Sequence, residues 1–524
     1  MKNNPDVRNP AEPWQTKSSY RATNTKKMDL PAKHPFVHRP KITTVDKLQI
    51  AVMSVTIAPL RLVIVALLVT VTWFFATLAL LGRSEADSKQ PMSGWRSYIR
   101  PLVVFFARSV YFVCGFHWVS LRGTQVPAAV APILALAPHT CYFDSLPVSF
   151  LNLSSVVTRA SSEDVFMFGT LTKFTQPIFV RREDPNSRQH AIQEIQRRAQ
   201  SKGKWPQILI FPEGTCTNGT ALISFKPGAF YPGLPVQPVT LRYINKMDTI
   251  PWTWDGPDAL KVLWLTLCQF NTSLEMEFLP VYYPSPEEVK DVALFARNVR
   301  AKMAEALGVS VTDDTYEDCQ LSSYTSQLDL PIMMQLSKSR KLCKKLRLDI
   351  RNGKSSELLE RLCHIVTSKS TQVTLEEFAS CLQLPVCDTM KEMFALYDKK
   401  GCGQVDLREY AMAMCLLIRQ PTQIEDILRL AFQVFDHGSK GRVTTEELKG
   451  ILHVLCGVDN SQAQELLQEL STSDKHTITY SELETYIEDH PEFSQQFVAP
   501  QRPASVLESL TCVGIGDTAK RKVA

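Results

Sequence analysis

Nowhere in the chain do two cysteines stand two residues apart, and the thirteen present are scattered singly, in an odd number. That excludes a fully closed disulfide framework and the paired-thiol zinc and redox motifs, and it reads as reduced thiols in a cytosolic setting. Charge of one sign is scarce too. The net charge is only +5, with no basic stripe interleaved with aromatics, which argues against nucleic acid and suits an anionic membrane face. No Gly-x-Ser-x-Gly turn occurs, which speaks against a serine hydrolase built on that elbow. The first long apolar run starts too far from Met1, and lacks the small-residue cleavage site, to be a removable signal.

What is present is 524 residues, too many for one ordinary core, with 44% hydrophobic and 21% charged residues. That is the composition of several globular units with local membrane attachment. Residues 1–45, rich in Pro, Lys, Asn and Thr, read as a disordered arm, and 46–120 as membrane-anchoring segments. Within the latter, Leu62 to Gly82 runs uncharged between Arg61 and Arg83, the length of a spanning helix. Pro59 and Arg61 interrupt the apolar stretch and leave a hairpin open as an alternative. Pro101 to Val119, with Arg108 in its middle, reads as an amphipathic helix at the interface.

Over 121–310 short apolar runs alternate with helical stretches, which implies an α/β domain. Strands are expected at Pro132–Ala137, Ile178–Arg181, Ile208–Phe211, Val236–Leu241 and Leu274–Leu279. A helix through Ile192 and Ile195 should stop at Gly203. Ser285-Pro-Glu-Glu288 is a capping box that should open one helix running to Gly308. A polar connector over 311–329 leads to a helical region at 330–490, and 491–524 reads as a disordered tail. Four segments of the helical region share an ending in which a β-branched residue precedes a glutamate by four: Val373 with Glu377, Val405 with Glu409, Val443 with Glu447, Ile478 with Glu482. That is the second half of an EF-hand loop, repeated as two pairs.

Chemistry concentrates after the first predicted strand of that domain. Leu134-Ala-Leu-Ala-Pro-His139-Thr-Cys-Tyr-Phe-Asp144 sets a histidine and an aspartate five apart, a spacing that needs a turn to bring them together. Asp144 can then hold one ring nitrogen and leave the other free to take a proton from a hydroxyl, a triad whose nucleophile comes from the substrate. Alone, such a pair is more often structural. Ile210-Phe-Pro-Glu213-Gly214-Thr215-Cys-Thr-Asn218 follows another strand with a carboxylate, a glycine and two hydroxyls in a tight turn, where ligand contacts gather. Gly169-Thr-Leu171 with Ile178-Phe-Val-Arg-Arg182, and Val236-Gln-Pro238-Val239, are mundane singly.

In this order and spacing the four blocks resemble the glycerolipid (PlsC-like) acyltransferase family. Lys204-Trp-Pro-Gln-Ile208, Phe225-Lys-Pro-Gly-Ala-Phe230 and Pro251-Trp-Thr-Trp254, with the EF-hand region behind, resemble its lysophosphatidylcholine acyltransferase and lyso-PAF acetyltransferase branch. The resemblance runs from about Pro35 to Ile487. It implies a transfer of an acyl group from acyl-CoA to a lysophospholipid, with His139 as base and Asp144 as its orienter. Arg182 then binds the acceptor phosphate, Glu213, Gly214 and Thr215 grip the acceptor, and Gly169 and Pro238 belong to the second and fourth motifs. No tightly bound cofactor is implied, acyl-CoA being a co-substrate. Cys216 stands where many lysophosphatidate enzymes carry arginine, which favours a phosphodiester headgroup over a phosphomonoester. Gly219 departs from the arginine usual in the branch, and Lys226 is a nearby cation expected to be solvated. An acetyl-CoA-dependent lyso-PAF acetyltransferase and a catalytically silent membrane scaffold are the alternative readings.

A calcium loop wants oxygen at positions 1, 3, 5 and 9 and a bidentate glutamate at 12. Asp398, Asp406 and Glu409 are the candidate ligands, but Lys400 and Cys402 stand at positions 3 and 5. The loop from Asp436 to Glu447 has Gly438 and Lys440 there. The EF-hand fold is therefore expected without strong calcium binding. The ending Lys520-Arg-Lys522-Val-Ala524 fits a KxKxx retrieval signal. The expected location is the endoplasmic reticulum membrane with catalytic and EF-hand domains in the cytosol; lipid droplets or the Golgi are alternatives. A luminal catalytic domain would risk a glycan on Asn218, which lies in a sequon.

Overall fold

The computed structural model describes residues 34–181, 184–325, 330, 332–348, 360–362, 365, 372–398, 401–419, 421, 424–436, 441–456 and 477–489. Outside them lie residues 1–33, Arg182, Lys400, Gly438, Lys440 and the basic ending Lys520 to Ala524.

Seven strands form one sheet: β1 (Trp118–Arg122), β2 (Ile133–Ala137), β3 (Ser155–Arg159), β4 (Ile178–Val180), β5 (Ile208–Ile210), β7 (Val236–Ile244) and β8 (Ser273–Phe278). Two short strands, β6 (Ala221–Leu222) and β9 (Ser310–Val311), pair beside it. The sheet order is β1-β8-β7-β2-β5-β3-β4. Every pair is parallel except β7 with β8. Central β2 reads Ile-Leu-Ala-Leu-Ala without alternation because both its faces are covered. Ile133, Ala135 and Ala137 face one apolar cluster, Leu134 and Leu136 the other.

On the face of Leu134 lie α1 (Thr44–Val55), α2 (Ile57–Leu80), α4 (Arg100–Val113), α5 (Leu146–Phe150) and α6 (Phe168–Phe174), with α3 (Glu85–Ser88) a single turn between α2 and α4 in the chain. The opposite face carries α7 (Pro185–Ala199). The helix α8 (Ala259–Leu267) returns to the first face through Val262 and Leu267. α9 (Pro286–Lys290) and α10 (Val292–Leu307) follow β8, and α10 packs beside α7's cluster through Phe295, Val299 and Met303.

Several boundaries differ from the sequence reading, each for an identifiable reason. The apolar run breaks at Thr56, not at Pro59, which sits in the first turn of α2 where its missing N–H has no partner to lose. Arg61 lies inside α2 and donates to the carbonyls of Leu267, Gln269 and Phe270 at the end of α8, so its charge is used within the protein. Arg108 likewise donates to Ser149 O and stacks 4.2 Å over Phe150, facing α5 instead of a headgroup layer. The helix that holds it ends at Val113, and Val119 belongs to β1. The single helix expected after Ser285 is two, because Asp291 leaves the helical conformation and its carboxylate accepts from Ala293 N and Leu294 N, capping α10. Two strands of the main sheet, β1 and β3, had no counterpart among the predicted ones, nor had the short β6 and β9.

α2 is, among the described residues, the one helix long and apolar enough to cross a membrane, with a mean hydropathy of 2.5 and 17% of its apolar window buried. Its inner side is narrow, Ala58, Ala76 and Ala79 lying fully against the domain, and Val63, Leu67 and Phe74 point outward.

The arm expected to run disordered to residue 45 is ordered before that. Phe36 is buried with Ile223 and Cys319, and Val37 bridges Asp255. The expected connector at 311–329 is largely α11 (Tyr316–Thr325), whose Leu321 and Tyr324 join the core of the C-terminal helices. α12 (Met333–Lys345) packs on it and is tied by Arg340 to Asp318.

The repeated β-branched residues of that region pair in space. Val373 faces Val405 in β10 (Gln372–Val373) and β11 (Val405–Asp406), and Val443 faces Ile478 in β12 (Arg442–Thr444) and β13 (Thr477–Thr479). Three of the repeated glutamates have a local role: Glu377, Glu447 and Glu482 accept from the N–H of Thr374, Thr444 and Thr479, closing capping boxes on the helices that follow.

Candidate active site

The site forms beyond the carboxyl ends of the neighbouring parallel strands β2, β5 and β7, the place where open α/β sheets bind their ligands. His139 leaves β2 and Asp144 sits in a 3-10 turn at Tyr142–Ser145, so the five-residue spacing is closed by a turn. His139 Nδ1 meets Asp144 Oδ2 at 2.6 Å. Asp144, only 1% exposed, also accepts from Thr140 N, Cys141 N and, on Oδ1, the hydroxyl of Tyr243 at 2.7 Å. Its charge is thus buried but fully solvated by donors, the condition under which a buried carboxylate persists.

The imidazole stacks on Phe211 with ring centroids 4.4 Å apart, and its Nε2 faces the Cys216 thiol at 3.7 Å. Burial by itself lowers the pKa of the imidazolium. The Cys216 sulfur and the Asp144 carboxylate outweigh it and hold the pKa well above the ordinary imidazole value. A ring fixed by a carboxylate on one nitrogen, with the other reaching into a crevice, can accept a proton there once deprotonated.

The Glu213 turn lies beside it. Glu213, which the resemblance gives to the acceptor, is fully buried here. Its oxygens accept from His139 N (2.6 Å) and Ile223 N (3.2 Å), so it braces the histidine from behind. Burial raises its pKa to about 7, opposed by those two backbone donors. Gly214 has φ +67°, and a side chain there would meet Lys226. Thr215 is half-exposed and reaches Cys319 of α11. Lys226, expected to be solvated, pairs with Glu317 at 3.2 Å over the Tyr316 ring.

Gly169 and Pro238 are positioned by packing. A Cβ on Gly169 would fall 2.1 Å from Glu163 O. Pro238 tolerates a central strand because its carbonyl, and so the side of its missing N–H, faces Leu279 just beyond the β7–β8 ladder. Gly219 has φ +70° and abuts Thr140 and Pro138, behind the histidine loop. Of the other residues now in the site, Phe211 and Cys216 lay inside the Ile210 to Asn218 block without a role at the histidine, and Tyr243 had no place in the sequence reading. Tyr243 was within reach of it: it continues the alternation of Val239 and Leu241 past the predicted end of the strand.

Residues 119–242 match the family described as Acyltransferase. Lysophosphatidylcholine acyltransferase 1 of Mus musculus is 44% identical over 93% of this chain and 90% of its own length. The protein of that name from Homo sapiens is 43% identical with the same coverage. Lysophosphatidylcholine acyltransferase 2 of Homo sapiens is 40% identical over 89% of this chain and 85% of its own. A crystal structure of the 1-acyl-sn-glycerophosphate acyltransferase PlsC from Thermotoga maritima covers 49% of this chain at 14% identity, with a TM-score of 0.31. The long matches at this identity run through the strands that carry His139, Glu213 and Tyr243, and by them the chain belongs to the acyltransferase family, in its lysophosphatidylcholine acyltransferase branch.

Proposed function

We propose that the protein is an acyl-CoA-dependent lysophospholipid O-acyltransferase whose acceptor is lysophosphatidylcholine. The similarity to lysophosphatidylcholine acyltransferases along nine-tenths of the chain carries the reading, and the buried His139–Asp144 contact supports it. His139 Nε2 takes the proton of the free glycerol hydroxyl while its oxygen attacks the thioester carbonyl. The carbon–sulfur bond to coenzyme A breaks, and the leaving thiolate recovers the proton from the imidazolium. Asp144 keeps Nδ1 protonated and Tyr243 steadies Asp144. Arg182, outside the described residues, is assigned the acceptor phosphate by its motif.

Because the imidazolium is stabilised, the base form exists only above a raised pKa. The limb on which kcat/KM climbs with pH is expected above the ordinary imidazole value of about 6.5. Asp144→Asn removes one of the groups that raise it and shifts the limb to lower pH as it slows the reaction. A limb that stays in place in the variant sinks the role given to Asp144.

The chain is held on the endoplasmic reticulum by α2, with the catalytic and C-terminal domains on the cytosolic side. The Asn218 amide supports that side, since it donates to Val37 O at 2.9 Å and a glycan would displace it. The C-terminal region is read as two EF-hand pairs on the strength of the facing Val373–Val405 and Val443–Ile478. It is read as weak for calcium because Arg408 grips both oxygens of Asp406 and Asp398 spends its carboxylate on Cys402 N and Gly403 N. Among the described residues no cluster of three metal-ligating side chains occurs.

The test offers microsomes containing the protein labelled palmitoyl-CoA or acetyl-CoA and a panel of lysophospholipids. The expected result is palmitoyl transfer with lysophosphatidylcholine well ahead of lysophosphatidate. The reverse order overturns the headgroup assignment drawn from Cys216, and rates equal to empty-vector microsomes for every pair overturn the activity.

A further inference from the structure

Two neighbouring hollows of about 360 and 560 Å³, the size of small-ligand sites, share Gln90 and Arg197 as walls. They lie away from the crevice. Gln176 and Trp205 beside them precede β4 and β5, so this corner is at the amino ends of the strands and His139 is at the carboxyl ends. Its frame is built in. Gln176 accepts from Met92 N and donates to Gln90 O, both at 2.8 Å, and its own carbonyl accepts from Arg198, which pins the segment after α2 against the end of α7. Arg198, 7% exposed, stacks 4.0 Å over Trp205, and Arg197 lies 5.2 Å over the same ring.

The walls are more basic than this frame needs. Segments 83–96 and 194–204 carry seven basic and three acidic residues, an excess of four in a chain whose whole net charge is +5. Glu194 is shared by Arg197 and Arg198. Lys89, Lys202 and Lys204 are exposed and make no ion pair among the described residues. The same corner abuts the apolar helix. Arg96 donates to Ala79 O and Leu81 O at the end of α2, and around it Leu81, Trp95 and Tyr98 are 66%, 50% and 81% exposed. Tryptophan and tyrosine laid open beside such a helix mark headgroup level.

We propose that this corner is a docking surface for anionic phospholipids of the leaflet that holds α2, separate from the acceptor site. The lysines supply charge to the phosphodiester, and Arg197 supplies a planar fork. The apolar neighbours decide the source of the anion: a free phosphate makes no use of Leu81, Trp95 and Tyr98, whereas a lipid does. A choline lipid, with no net charge, gains nothing from the excess.

The test melts the full chain, purified in neutral detergent micelles, with rising mole fractions of phosphatidylglycerol, with phosphatidylcholine of the same chains, and with inorganic phosphate. The melting temperature is expected to rise with phosphatidylglycerol alone, and about 1 M salt should remove the rise. One lysine at an anionic surface is worth about fivefold in affinity, so Lys89→Gln, Lys202→Gln and Lys204→Gln together should demand about a hundredfold more phosphatidylglycerol. With no acidic lipid present, that variant should melt with the wild type and acylate lysophosphatidylcholine within about twofold of it. No rise in the wild type overturns the surface, as does an equal rise with phosphatidylcholine, with inorganic phosphate or in the variant. None of those results touches the transfer reading, which fails only if the wild type acylates no lysolipid.

Discussion

Replacing His139 by alanine is expected to cut acyl transfer by about 10⁴-fold, the upper range for losing a general base, without unfolding the protein. Both halves of that expectation come from the geometry. The ring supplies Nε2, the nitrogen that Asp144 does not hold, and no other imidazole touches Asp144 among its described contacts. The carboxylate it abandons still has three donors, Thr140 N, Cys141 N and the Tyr243 hydroxyl, so it is not left as a bare buried charge. The measurement pairs palmitoyl transfer with a melting curve at equal protein level. Activity within about tenfold of wild type removes His139 from the chemistry; a collapse of the melting temperature makes it a structural histidine, the reading that was the more common one for an isolated pair.

Glu213→Gln should destabilise the protein most at mildly acidic pH. The side chain accepts from two backbone N–H groups, one on each oxygen, so an amide must turn its NH₂ against one of them. A mismatch of that kind costs about 1–3 kcal/mol. The pH sign follows from burial, which raises the folded-state pKa from 4.5 to about 7. Proton binding by the folded state then stabilises it fully below about 4.5, and this contribution is lost as pH climbs through about 7. Its full size is on the order of 3 kcal/mol. The variant has no such titration, so the gap between the melting temperatures is expected to be widest near pH 5 and to narrow by pH 8. A gap that widens with rising pH rules out a brace that is favoured when protonated.

The parts of this fold that were legible in the sequence are those where one physical demand dominates a stretch. β2, β5 and β7 are apolar runs bounded by turn residues because they are covered on both faces, and the run 62–82 is uncharged because α2 faces outward along most of its length. What was missed lies where two demands meet. β1 follows an apolar helix almost directly, so its first residues, Trp118 and Val119, merged into the hydrophobic run that starts at Pro101. β3 reads Ser-Val-Val-Thr-Arg and is half-buried, too short and too polar to stand out. Asp291 interrupts a continuous helical period with a cap that only a local reading finds.

At the site, the pairing of His139 with Asp144 followed from spacing and a turn, but the occupants around it did not. Tyr243 is 99 residues from Asp144 and reaches it only through the register of β7. Glu213 stood in the right turn for a different reason: its two hydrogen bonds are to backbone atoms, which no side-chain pattern encodes.

The segment that crosses the site turn sets a further property. Asn218 N and Nδ2 donate to Pro35 O and Val37 O, Lys246 pairs with Asp46 at the start of α1, Gln49 and Ser54 meet Cys268, and Arg61 grips the end of α8. From Pro35 into the apolar helix, the described chain is riveted to the catalytic domain every few residues. A domain on a slack tether wanders through a volume; one bolted to the helix beside it does not. The distance of His139 from α2 is then a constant of the molecule, and whatever surface holds that helix holds the site at one fixed height above it.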